Sequence, residues 1–171
     1  IFNSITIFAI VALFLAACGS APSKSDSTLS VLASTTFLAD IAQNVAGDRV
    51  TVESLLPVGA DPHSYQAAPS DVAKIAESNV LILNGVEYEH FIETLLENAG
   101  GERVIVESAA GLTPHQMEEH EGEEHTEGEE EHEHEAGDPH MWLDPNLVIT
   151  YVENIRDGLS QADPEGTETY K

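Results

Sequence analysis

From Leu29 to about Ala110 the chain repeats one unit, a short apolar run followed by an amphipathic stretch, and this alternation leaves few folds open. Residues 29–33 read as a strand. Phe37, Leu38, Ile41 and Val45 then fall on one helical face, and Gly47 ends that helix. Residues 50–56 form a second strand, closed by Pro57 and Gly59. Pro69 suits the first position of the next helix, with Asp71 in its first turn and Val72, Ile75 and Ala76 as the apolar stripe. Residues 80–83 form a buried strand, 88–98 a helix with Phe91, Ile92, Leu95 and Leu96 inward, and 104–106 a fourth strand after Gly100 and Gly101. Such alternation implies βαβ crossovers, hence an α/β fold with a mostly parallel sheet flanked by helices. Ligands of such sheets bind beyond the carboxyl ends of the strands.

That rule draws attention to His63, in the loop Pro57-Val-Gly-Ala-Asp-Pro-His-Ser-Tyr65 that follows the second strand. A lone loop histidine is ordinarily a surface residue, since one residue makes no metal site. The tripeptide Asp61-Pro62-His63 recurs, however, as Asp138-Pro139-His140. After the second copy, Asp144 is a good N-cap with Pro145 at the first helical position, and Leu147, Tyr151, Ile155 and Leu159 descend one helical face at i+4 steps. Neutral imidazole suits zinc and other transition ions, so two histidines in matched loops make a candidate pair of metal ligands. The aspartates have two readings: acceptors that orient the imidazoles, or turn formers, which the Asp-Pro pairs favour. Tyr65 and Trp142 read as packing residues, and His90 as a surface or helix-packing residue.

Between the two copies, residues 115–136 are almost entirely histidine, glutamate and glycine, with no Lys or Arg. His115, His120, His125, His132 and His134 would form weak, exchanging cation sites; the plainer reading is a solvated acidic linker without fixed structure. The chain carries 31 acids against 6 bases, a net charge of −25. Twelve of the acids fall between Glu118 and Asp138, and the rest of the chain remains acidic. Nucleic acid and anionic lipid surfaces are therefore excluded as partners, because both would be repelled.

The front end points outside the cytoplasm. Residues 5–17 are nearly all apolar but too short to span a bilayer, and they close on Leu15-Ala-Ala-Cys18, similar to a lipoprotein signal peptide whose cysteine becomes lipidated. Cys18 is the only cysteine, so no disulfide is expected. The expected organisation is a signal peptide over 1–17, truncated at its start, a flexible linker over 18–28, and an α/β body over 29–162 that contains the 115–136 insertion.

Leu15-Ala-Ala-Cys18, Ala33-Ser-Thr-Thr-Phe37-Leu-Ala-Asp40, Leu56-Pro-Val-Gly-Ala-Asp61-Pro-His63-Ser-Tyr65, Asn84-Gly85 and Asp138-Pro-His140-Met-Trp142-Leu-Asp144-Pro together resemble the zinc/manganese solute-binding proteins of ABC importers. The resemblance implies two α/β lobes joined by a long helix, with metal held between them, and His63 and His140 as the two histidine ligands of the N-terminal lobe. It implies a membrane permease as partner, a lipid anchor on Cys18, and residues 163–171 as the start of the connecting helix. The second lobe, with a further histidine and an acidic ligand, would lie beyond Lys171. Zinc is expected over manganese because of the His-rich insertion. A secreted metallohydrolase is the less favoured reading, since no HExxH pair is present. A surface adhesin rests only on family relatives described as such.

Overall fold

The computed structural model describes residues 29–116 and 137–171. Cys18, the leader, the linker and four of the insertion histidines, His120, His125, His132 and His134, lie outside the described residues.

Four parallel strands, β1 (Val31–Ala33), β2 (Val52–Ser54), β3 (Val80–Leu83) and β4 (Val104–Glu107), lie in the order β2-β1-β3-β4. Val31 pairs with Val52 on one side and with Val80 on the other, and Val80 pairs with Val104. The sheet is thus the expected parallel one. Its order places a topological switch between β1 and β3, because the chain leaves β1 toward one edge and then returns to build on the opposite side. Crevices that receive ligands form at the carboxyl ends of such a strand pair.

Strand periodicity explains how the two faces are filled. Val31, Ala33, Val80, Ile82 and Val106 point to one face, where helices α1 (Thr36–Ala46) and α4 (Pro145–Ala162) cover them with Leu38, Ala42, Tyr151, Ile155 and Leu159. Leu32, Leu81 and Leu83 point to the other, against Ile75 of α2 (Pro69–Glu77) and Ile92 and Leu95 of α3 (Ile92–Ala99). Both faces are buried, which is why β3 reads as an unbroken apolar run rather than an alternating one.

The helix ends follow their residues. Pro69 opens α2 and Asp71 accepts the Ala68 amide at 2.8 Å; Pro145 opens α4 behind Asp144, whose side chain accepts the Asn146 amide at 2.8 Å. Gly158 of α4 sits so close to β4 that a Cβ there would stand 2.2 Å from Val106 Cγ2.

One element differs from the sequence reading. The third helix starts at Ile92, not at Tyr88, because Gly85, Val86 and Glu87 all take positive φ, at 82°, 55° and 55°. That left-handed run turns residues 84–91 away from helix. Past α4, whose end the Asp163 amide closes on Leu159 O at 2.8 Å, the chain makes a 3-10 turn, Pro164–Gly166. Arg49 holds Asp163 there through Nε–Oδ2 at 2.5 Å and Nη2–Oδ1 at 2.9 Å, and the Tyr170 hydroxyl donates to the same carboxylate at 2.7 Å.

Candidate metal centre

The two Asp-Pro-His copies fold alike. Asp61 Oδ1 accepts the His63 amide at 3.0 Å and Asp138 Oδ1 accepts the His140 amide at 2.9 Å, so each aspartate closes a turn on the residue two positions ahead. Asp61 also accepts the Ser64 hydroxyl at 2.9 Å. At Asp138 the same oxygen meets His140 Nδ1 at 2.7 Å. Turn formation and imidazole orientation are therefore not alternatives at Asp138; one carboxylate does both.

These turns bring the histidines together across 77 residues of chain: His63 Nε2 and His140 Nε2 stand 3.4 Å apart. Asp138 is held below the usual carboxylate range, chiefly by the His140 backbone amide and then by its side chain. An ionised carboxylate against Nδ1 assigns the ring proton to that nitrogen, which leaves the Nε2 lone pair of His140 directed at His63. Two nitrogens bound to one tetrahedral ion at roughly 2.0–2.1 Å lie about 3.3 Å from each other. The spacing of the pair fits that edge. Among the described residues, no third His, Cys, Asp or Glu joins them in a metal-binding group.

Aromatic rings wall the pair. Tyr88 lies near-perpendicular to His63 at 5.4 Å and to His140 at 5.7 Å between ring centroids, and Trp142 lies 4.9 Å from Tyr88 and stacks on Phe37 at 4.1 Å. Burial pushes the Tyr88 hydroxyl up to about 12. Tyr65 donates its hydroxyl to Asp71 at 2.8 Å and packs edge-on to Phe91, consistent with a packing role. His90 is exposed on the far end of the turn that precedes α3. His115, also exposed, pairs with Asp138 in an isolated antiparallel bridge, its carbonyl accepting the Asp138 amide at 2.9 Å. The two ends of the insertion therefore meet beside the site.

Sequence reasoning missed a buried polar group that reaches the backbone next to His140. Glu89, almost fully buried, accepts from Ser34 Oγ at 2.6 Å, the Asn84 amide at 2.7 Å and the Gly85 amide at 3.2 Å. Burial pushes its carboxyl above the ordinary range. Asn84, also buried, accepts the Tyr151 hydroxyl at 2.7 Å and donates to Pro139 O at 3.2 Å, one residue before His140. An Asn-Gly pair directly after a strand is a turn signal that could have located this group.

A parallel α/β sheet with two imidazoles from separate loops close enough to share one ion defines a class, that of an α/β lobe with a candidate metal site carried on loops. Residues 31–171 match the family described as zinc-uptake complex component A, periplasmic (ZnuA), and the chain belongs to that family. The manganese-binding lipoprotein MntA of Halalkalibacterium halodurans is 33% identical over 167 residues, covering 96% of this chain and 51% of the relative. The iron-binding protein YfeA of Yersinia pestis is 33% identical over 149 residues, 87% of this chain and 44% of the relative. The solved structure of the Mn-bound periplasmic metal-binding protein from Candidatus Liberibacter asiaticus superposes with a TM-score of 0.69 at 30% identity, covering 82% of this chain and 48% of that one. The chain thus spans about half the length of the curated relatives it matches.

Proposed function

We propose that this chain supplies the two-histidine half of an extracytoplasmic solute-binding protein, one that captures a divalent transition-metal ion and hands it to the permease of an ABC importer. The observation that carries this reading is the 3.4 Å approach of His63 Nε2 to His140 Nε2 on matched turns, with Asp138 fixing the tautomer of one ring. Nothing in this pair calls for chemistry on a substrate; ligands divided between two bodies serve capture and release, because closure completes the coordination sphere and opening dismantles it. Cys18 carries the lipid anchor that keeps the protein at the membrane.

Manganese is the first candidate ion and zinc the second. This reverses the preference drawn from the insertion, since relatives named for manganese stand among those most similar to the chain. The family description and the histidines of the insertion favour zinc. Imidazole alone does not discriminate, as the remaining ligands set the choice: carboxylate oxygens favour manganese, and nitrogen or sulfur favours zinc.

Calorimetric titration with each ion tests the site. His63→Ala and His140→Ala should each remove the same single equivalent, while His90→Ala should leave it in place. Normal binding by either of the first two variants would contradict the assignment. Metal analysis of the protein isolated from its own cell envelope separates the ions: manganese supports the first candidate, zinc the second.

A further inference from the structure

Next in sequence to Tyr88, whose ring meets both imidazoles, the chain keeps a buried acid where the packing asks for none. Glu89 is 5% exposed, and all of its hydrogen-bond donors are neutral: a hydroxyl from Ser34, at the carboxyl end of β1, and the two successive amides of Asn84 and Gly85, at the carboxyl end of β3. A buried carboxylate without a cation is costly, so apolar packing would be the cheaper solution at this position. The cost is tied to a second unfavourable feature. Val86 and Glu87 are held at φ 55°, a region that side-chain-bearing residues rarely adopt and that a β-branched residue resists most. The glutamate and the left-handed run belong together, because its two carboxylate oxygens grip the amides at which the run begins.

Two contacts lead from this turn to the histidines. The Asn84 carboxamide, fixed at one end by the Tyr151 hydroxyl, donates to Pro139 O and so holds the backbone immediately before His140. The left-handed run in turn delivers the Tyr88 ring to His63 and His140 together, at near-perpendicular interplanar angles of 89° and 82°. The two loops that bear the histidines come from distant parts of the sequence, and this turn touches both.

Resting on the metal-site reading above, we propose that Glu89 is a positioning residue for the imidazole pair: through Asn84, Gly85 and Tyr88 it sets the separation of His63 and His140, and so their affinity for metal. The strain at Val86 and Glu87 is retained because a relaxed turn would withdraw Tyr88 from both rings. Tyr151 of α4 acts in the same assembly by orienting the Asn84 carboxamide.

The test follows the His63 and His140 ring signals by NMR while zinc is added to the chain and to Glu89→Gln, Tyr151→Phe, Ile155→Val and His63→Ala. Reading the rings directly keeps the histidines of the insertion out of the measurement. Glu89→Gln turns an amide nitrogen toward one of the backbone amides it should accept, and Tyr151→Phe deletes one hydroxyl without changing volume. Each is expected to weaken binding at the pair about tenfold, the scale of a lost outer contact to a metal ligand. Ile155→Val, a core change in the helix that carries Tyr151, should lower stability in urea and leave affinity unchanged. Affinity equal to the parent's in Glu89→Gln and Tyr151→Phe, with binding lost in His63→Ala, overturns the inference alone. Losses that merely track stability, as judged against Ile155→Val, overturn it too. If Glu89→Gln does not fold, Tyr151→Phe decides on the same criterion. Undiminished binding in His63→Ala overturns the metal-site reading and the inference with it.

Discussion

At the scale of single residues, the central group is the Asp138 carboxylate, one oxygen of which meets both the backbone and the ring of His140. Both aspartates of the Asp-Pro-His copies accept the histidine amide two residues on, and Asp138 accepts from the His140 ring as well. We expect Asp138→Ala to weaken metal binding at the pair about 10- to 100-fold, the usual cost of losing a partner that orients a ligating imidazole. Nitrogen NMR of His140 should show the proton no longer confined to Nδ1; an unchanged tautomer would mean that some other group fixes the ring. The pairing of His63 with His140 was legible in the sequence because the motif repeats. The double role of Asp138 was not, since it depends on a rotamer rather than on residue type. Neither was the choice of ion, because the two histidines suit more than one transition metal.

At the scale of elements, period and punctuation carried most of the fold. Pro69, Pro145 and Asp144 marked helix starts that the structure keeps, and runs such as 80–83 could only be buried strands. The start of α3 was misread because Tyr88, Phe91, Ile92 and Leu95 do fall at helical spacing, although the first of them serves the site instead of the helix. Nothing in the residues Val86 and Glu87 announces positive φ, which glycine would have done. Packing between elements yields two predictions. Gly158→Ala should cost about 1–3 kcal/mol in denaturant unfolding, because α4 would have to move off Val106 to admit a methyl group. The clamp that ties the end of α4 to the loop after α1 should depend on pH. Arg49 first, then the Tyr170 hydroxyl, holds Asp163 at about 2, below its ordinary 3.8. A lowered carboxyl stabilises the fold above about pH 4, and that contribution is lost as pH falls through about 2. Thermal melts between those values should show a larger drop for the parent than for Asp163→Asn; parallel drops would place the acid sensitivity elsewhere.

At the scale of the whole molecule, the account separates the site from the insertion. His115 O already accepts the Asp138 amide, and Gly137 has φ 94°, so joining Gln116 to Gly137 would give a four-residue turn with its hydrogen bond in place and glycine at the position needing positive φ. Removing residues 117–136 should therefore leave the melting temperature and the imidazole pair intact, and take away only additional, weaker zinc equivalents, those that fade as pH drops through about 6.5. Loss of binding at the pair on deletion would mean that the insertion supplies one of its ligands. The most direct measurement of the central claim is the NMR response of the two rings to substoichiometric manganese or zinc. The account predicts that the His63 and His140 signals change together, in one step that saturates at one ion per pair, while His90 is unaffected. Rings that respond at different metal ratios, or a response confined to one of them, would contradict a shared ion.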